Sequence, residues 1–534
     1  MLTSERPFVR VRRKLREAKN TISSEDKQLS ILENEMISLH ELKESILSAF
    51  GQTADLIMEQ VRIAEEEGIL FYLNSTIDKS QLQQTLMNKH TNQPNSSLDL
   101  KTVEGIQDFC EQMFGGSGYK LTQTAEEAIN ELLDGSFVIA SKNFPLIISI
   151  GMPNTNLRQV AEPTSQTVIR GPKDSFVEAS SINLSLIRRR IRNSNLRFEE
   201  FSIGSETKTK VYIGYMNEIA NEKIVEEVRK RLNKINVSAI FESGNIEELL
   251  VDKTLTVFPL AFNTERPDTV AGELMEGKIC IVVDGTPFAL LVPVVFTDFF
   301  ISSEDYYHHY MISSFLRVIR YISFMIVLIV PSAYVGILTY HPELVPTYLL
   351  INIMAQREGV PFPAVVEVLI MEFTFEILRE AGIRMPRAVG QTVSIVGALV
   401  IGQAAAEAGL ISNIMVIIVA ITATANFVAP VYSLSAATRI LRLILIPIAG
   451  FLGLYGVLLG LVVMVAHLAS LRSFGVPYLA PIAPLNMKDQ KDVFIRFPYW
   501  GLRRRPSYLR TAEPIKQEKS DLNTPPDMQG RNGG

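Results

Sequence analysis

Three carboxylates stand inside apolar sequence. Glu367, Glu372 and Glu376 occupy the run 361–378, and Arg379 follows at once. A carboxylate at membrane depth is costly and is kept for ion or proton movement, or for charge pairing. Helical geometry sets Glu372, Glu376 and Arg379 on one side and Glu367 nearly opposite. Two readings follow: a functional site within a span, or an interfacial helix whose Glu376–Arg379 pair compensates charge.

A second constellation occupies residues 390–409, GQTVSIVGALVIGQAAAEAG. Gly390, Ser394, Ala398, Gly402 and Ala406 recur every four residues, a stripe that lets membrane helices approach closely. Thr392, Val396, Leu399, Val400, Gln403 and Glu407 gather on another face, within roughly a third of the helix. With several copies around one axis, Val396 and Val400 form a ring that dewets, and Glu407 an acidic mouth that attracts cations. On spacing alone the other reading stays open: the small residues pack a bundle, and Glu407 ends the helix before Gly409.

Two polar strings lie further upstream, Arg170-Gly171-Pro172-Lys173 and Asn263-Thr264-Glu265-Arg266-Pro267-Asp268. Pro172 and Pro267 set turns, and Arg170, Lys173, Glu265, Arg266 and Asp268 pair charges across a domain or subunit junction. A phosphate site at Arg170 and Lys173 needs a glycine-rich helix start, which is missing there. His341 and Glu343 sit between prolines as a rigid connector without a third metal ligand. No GxGxxG, phosphate loop, nucleophile elbow or HExxH appears. No cofactor, metal or catalytic residue is therefore expected, and an enzyme is the weakest reading.

These residues need a scaffold divided between water and lipid. Across 534 residues, 20% are charged and the mean hydropathy is +0.17. That is too apolar for one soluble enzyme and too charged for a pure transporter, and the two properties segregate along the chain. A formal net charge of −5 gives no pull towards nucleic acid. Cys110 and Cys280 stand in no metal or redox spacing, which fits a reducing compartment. The expected fold is a soluble α/β (α+β) N-terminal region of two subdomains, followed by a polytopic α-helical membrane domain. Its divisions are a basic tail and helix (1–50), a first soluble subdomain (51–165) and a second, α/β subdomain (166–284). A membrane domain of four to six segments (285–475) and a basic, proline-containing, partly disordered tail (476–534) complete the chain. Within them 56–133 reads as helical and 136–150 as a hairpin. Strands are expected at 210–215, 237–241 and 278–283, and helices at 218–235 and 245–251.

Spans of roughly 17–25 apolar residues are available at 321–340, 388–406 and 410–430. The run 288–300 is short, holds Pro293 and Asp298, and reads as re-entrant or interfacial. At about 1.5 Å per residue the stretch 440–471 is too long for one upright helix. Pro447, Gly450, Gly453 and Gly456 are places where it breaks or tilts. Arg317 and Arg320, then Arg379, Arg384 and Arg387, then Arg439 and Arg442 all fall on the cytoplasmic side if the spans alternate. The basic tail joins them only if the last stretch crosses twice or not at all. The first twenty residues are basic and lack a signal-peptide core, so the N-terminal region is expected in the cytoplasm.

The run 380–410 (EAGIRMPRAVGQTVSIVGALVIGQAAAEAGL) closely resembles the A subunit of the GerA family of spore germinant receptors. So do Arg170–Lys173 with Phe176-Val177-Glu178, NTERPD at 263–268, EDYY at 304–307, HPELVP at 341–346 and REGVPFP at 357–363. The similarity runs from about 168 to near 497, and the first 130 residues carry no matching motif. The resemblance implies a nutrient-receptor subunit of the inner spore membrane, with its N-terminal domain facing the core. It implies a permease-like B subunit and a lipoprotein C subunit as partners. It also implies a homo-oligomer among membrane lipids that opens a channel for monovalent cations when nutrient binds. A non-conducting coupling scaffold and a solute transporter component are the alternatives. A transporter predicts two corresponding halves, and no internal repeat is visible in the sequence.

Overall fold

The structure is a computed structural model, and it describes residues 38–63, 66–88, 100–114, 118–142, 144–154, 162–163, 165–385 and 402–517. The chain forms two compact units, Met1–Gln159 with Leu184–Glu199, and Val160–Asn183 with Glu200–Gly534.

The first unit begins with α1 (Leu39–Phe50), started by a capping box in which Ser38 and Glu41 exchange hydrogen bonds of 3.2 and 3.0 Å. There follow β1 (Leu56–Ile63), β2 (Glu66–Leu73), α2 (Lys79–Asn88) and α3 (Val103–Phe114). β3 (Tyr119–Thr122), α4 (Ala125–Leu133), β4 (Ser136–Ser141) and β5 (Ile147–Gly151) complete the set. The strands form one antiparallel sheet in the order β1-β2-β4-β5-β3. Successive side chains of a strand alternate between faces. Phe137 and Ile139 therefore join Ile106 and Phe109 on one side of β4, while Val138 and Ala140 join Leu42 and Leu132 on the other. The hairpin expected over 136–150 forms, with Phe137 opposite Ile150. The helical expectation over 56–133 fails at 119–122, which pairs with β5, and at its start, because 56–73 is a hairpin with Leu56 opposite Leu73. Its Glu, Gln and Arg content favours helix, but pairing with β4 fixes it as sheet.

The second sheet is built from the same succession. α5 (Ser180–Arg190), β6 (Leu196–Ile203) and β7 (Thr209–Met216) lead to α6 (Glu222–Lys234) and α7 (Ser243–Leu250). β8 (Phe262–Thr264), α8 (Pro267–Glu276), β9 (Ile279–Val283) and β10 (Ala289–Val292) follow. Its strand order is β6-β7-β9-β10-β8. Helix, two strands, two helices, strand, helix, two strands thus occurs twice with one strand order, a repeat held in topology alone.

Two expectations change here. Residues 237–241 form no strand: the Val237 carbonyl accepts from Ser205 N (3.0 Å) and that of Ser238 from Glu206 N and Thr207 N (2.9 and 3.4 Å), without a ladder. The run 288–300, expected to be re-entrant or interfacial, instead contributes a sheet strand and a short 3-10 turn, Phe296–Phe300. Ala289–Val292 pairs with both β8 and β9 and is wholly buried, so its apolar residues make a central strand. An expected membrane boundary at 285 therefore falls inside the β9–β10 hairpin.

The helical part comprises α9 (Tyr310–Tyr340), α10 (Thr347–Arg357), α11 (Ala364–Arg384), α12 (Asn413–Asn426) and α13 (Tyr432–Ser470). Among the described residues, α9 and α13 are long and apolar enough to cross a membrane. α13 breaks at Gly453 (φ 62°, ψ −151°), while Pro447 stays within the helix. Its limbs, 432–452 and 454–470, fold back on each other, with Gly460 against the end of the Leu445 side chain and Gly456 against the Ile448 carbonyl, where no Cβ fits. At 1.5 Å per residue they span about 31 and about 25 Å. The turn lies against the end of α9. Tyr340 donates to the Phe451 carbonyl (2.9 Å), and a Cβ on Gly336 would stand 2.9 Å from the Leu454 nitrogen. At the other end His467 Nε2 meets Thr256 Oγ1 at 2.9 Å, so the hairpin starts and finishes on the side of the second sheet.

Of the tail expected to be partly disordered over 476–534, residues 476–517 are folded, and 518–534 lie outside the described residues. β11 (Arg472–Ser473) and β12 (Val476–Pro477) form a short hairpin, and Phe474, Val476 and Ala480 enter the core of the second sheet. Tyr478 is wholly buried. Its carbonyl accepts from Phe296 N (2.7 Å), and its hydroxyl donates to the Pro259 carbonyl (2.8 Å). Arg505, which reads as part of a basic tail, is buried and donates to the Met275 carbonyl (2.8 Å).

Candidate functional site

The chain leaves the second sheet through a short turn, Ser303–Tyr306, capped by Ser302 and Asp305. Each residue from 304 to 307 holds a different segment. Glu304 accepts from the backbone of Ile169 and Arg170 (both 3.1 Å) and lies 2.9 Å from His308. Asp305, 1% exposed, accepts from Arg320 (2.7 Å) and Arg317 (3.3 Å) on the first turns of α9. Tyr306 donates to Asp492 (2.7 Å), which also receives Arg317 (2.9 Å). Tyr307 donates to Asp268 (2.6 Å), and its ring fills the space a Cβ on Gly171 would need.

The upstream motifs converge on the same turn. Arg266 donates to Asp268 (2.7 Å) and to the Pro172 carbonyl (3.0 Å). Glu265 accepts from Ser165 Oγ (2.8 Å). Lys173 makes an exposed pair with Glu162 (3.6 Å), and Arg170 is exposed, held through its backbone. The sequence therefore brings Glu265, Arg266 and Asp268 to one buried node and leaves Arg170 and Lys173 at its rim. Sequence reasoning missed Asp305, Arg317 and Asp492 as a set. They stand up to 187 positions apart in sequence, and no local spacing links them.

Behind this node Lys278 is 2% exposed and lies between Asp298 and Glu273 (2.7 Å each). Burial pulls its ammonium down, but the two carboxylates outweigh that and hold it above the usual lysine range. Burial in turn pushes the Asp298 carboxyl up, opposed by Lys278.

The carboxylates of α11 meet partners on other helices. Glu367, fully buried, accepts from Ser412 N and Oγ (2.6 Å each) and lies 3.6 Å from Arg357. Glu372 meets Arg442 at 2.6 Å. Glu376 pairs with Arg379, with Arg439 (3.0 Å) and with Arg442 (3.5 Å). Three guanidinium groups thus share two carboxylates in a largely buried cluster between α11 and α13. Thr392, Val396, Leu399, Val400, Gly390, Ser394 and Ala398 lie outside the described residues. Of the run 390–409, residues 402–409 are described: Gln403 donates to Glu407 (2.9 Å) with both exposed, and Gly402 is buried beside Val416. Among the described residues no group of three or more His, Cys, Asp or Glu is arranged to hold a metal ion. The arrangement at 304–307 joins four segments through hydrogen bonds and ion pairs.

Residues 44–508 match the family described as Bacillus/Clostridium GerA spore germination protein. Spore germination protein KA of Bacillus subtilis (strain 168) is 41% identical over 483 residues, 90% of this chain and 88% of that protein. Spore germination protein GerLA of Bacillus cereus is 43% identical, covering 73% of this chain and 79% of its own. The uncharacterized membrane protein YfkQ of Bacillus subtilis is 41% identical over 73% of this chain and 76% of its own.

Proposed function

We propose, for a chain that belongs to the GerA family of spore germination proteins, that it is the germinant-receptor subunit that turns nutrient binding into a change across the spore inner membrane. In the finer form of this reading several copies surround an axis, and the helix through 390–409 lines a nutrient-gated path for monovalent cations. A permease-like B subunit and a lipoprotein C subunit complete the receptor. The soluble sheets and residues 471–517 face the spore core, together with Arg317, Arg379 and Arg439.

The observation that carries the reading is the 304–307 turn, where four successive side chains tie α9 to the second sheet and to the C-terminal segment. A partner that shifts either soluble element must pull on α9, and buried ion pairs favour one arrangement or another over intermediate ones. The test uses spores carrying Asp305→Asn, which keeps the shape of the carboxyl and removes its charge. Nutrient-triggered cation release should fall at least tenfold while the subunit accumulates normally. Unchanged release at normal abundance would mean that coupling runs elsewhere. Val400→Ala separates the channel from the non-conducting scaffold: a channel leaks without nutrient, and a scaffold stays tight.

A further inference from the structure

An amphiphilic groove of about 620 Å³ lies between the loop 254–258 of the second sheet and the two limbs of α13. Its floor is apolar, formed by Ile444 and Ile448 on one limb and Val463 and Met464 on the other. Its upper end is polar: Thr254 and Thr256 line it, and His467 meets Thr256 at 2.9 Å. Lys253 stands exposed beside this end, near enough for its charge to reach the imidazole, while neighbouring Asp252 is occupied by Arg231 (2.5 Å). Leu255 is 88% exposed although the loop belongs to the soluble sheet.

We propose that this groove holds one phospholipid, with its phosphate at Lys253, Thr254 and Thr256 and an acyl chain between the limbs of α13. The proposal rests on α13 crossing the bilayer as a hairpin. The groove is apolar along most of its length, with Thr254, Thr256 and His467 at one end and Lys253 adjoining that end in sequence, which suits an acyl chain below a headgroup. Val462 and Leu458, on the same limb, are more than half exposed, so the groove continues into the surface that lipid covers. Leu255 then dips into the acyl boundary, where an exposed leucine is favourable, as it is not in water. A lipid seated there binds the soluble loop to both limbs at once.

The test uses the full chain, purified in mild detergent and weighed intact by native mass spectrometry. The wild type should retain one phospholipid per chain. Lys253→Gln should lower that occupancy about fivefold, the factor expected for one basic side chain at a membrane surface. No retained lipid in a folded wild type would overturn the proposal. A second arm replaces the single tryptophan, Trp500→Phe, and introduces Leu255→Trp into chains reconstituted in phosphatidylglycerol vesicles brominated near the carbonyls. Quenching at 255 supports the lipid. Its absence, with Val462→Trp quenched by deeper bromines, means that lipid does not reach the groove. If neither position is quenched, the membrane placement of α13 is what fails. Chain-to-chain crosslinking through Leu255→Cys would show a second copy in the groove and also overturn the proposal.

Discussion

The two five-stranded sheets share one strand order and one succession of helices, yet their cores are closed differently. The first is filled on one face by α1 and α4 and on the other by α2 and α3, all within residues 39–150. The second takes Phe474, Val476 and Ala480 from beyond the last membrane helix, and Tyr478 packs against Phe296 and Phe299 behind it. Both units hold buried ion pairs among the described residues. Asp55 meets Arg188 at 3.0 Å in the first unit, and Lys278 meets Asp298 at 2.7 Å in the second. The same topology can therefore be closed by the helices between its own strands or completed by a segment from far along the chain, depending on which residues finish its faces.

The largest test of that difference is to end the chain after Ser470. Hydrogen exchange should then show β9 and β10 unprotected while β4 and β5 keep their protection. Equal loss in both sheets would erase the distinction. Tyr478→Ala is the milder form and should cost the second sheet about 3–5 kcal/mol, as for other large buried rings.

A step smaller in effect is Lys278→Met, which leaves Asp298 buried without its cation and should cost about 3–5 kcal/mol. Lys278→Met combined with Asp298→Leu should recover most of that loss in chemical unfolding. If the double variant is as weak as the single, the pair does more than neutralise itself.

The smallest effect is one of pH. In the second unit burial, helped by Glu242, pushes the Glu247 carboxyl up to about 7 from near 4.5. In the first, Asp78 is held down, chiefly by a hydrogen bond from Ser80. Folded Glu247 keeps its proton where the unfolded chain has lost it, so raising pH from 4.5 to 7 weakens the second unit. Glu247→Gln should stabilise it at pH 8 by about 2 kcal/mol and leave it unchanged at pH 4. Equal stabilisation at both pH values would point to packing instead of titration.

How far the sequence could be read followed the reach of each contact. β4, β5, β7 and β9 carry their own alternation or apolar runs, and α6 its own apolar stripe, so they were legible. β1 was not, since its glutamate and arginine matter only once β2 lies beside it. The apolar run at 288–300 has the composition of an interfacial segment, and only pairing with β8 and β9 makes Ala289–Val292 a strand. Gly453 was one of four plausible breaks, and the backbone of α9 at Gly336 accompanies the one that formed. The charges of 263–268 were legible as pairing residues, but their meeting with Tyr307 depends on chain closure that spacing does not encode.

That residues 471–517 complete the second sheet also sets a clock on synthesis. A ribosome emits at about 5–20 residues per second, so the β6–β10 sheet is made well before the segment that seals it. On the proposed membrane placement of α13, its hairpin must already be delivered to the bilayer in that interval, or Tyr478 cannot return to its place beside Phe296. A message broken near its end would yield a chain with α9 to α13 and an unsealed core, a form that quality-control proteases can distinguish from the finished protein.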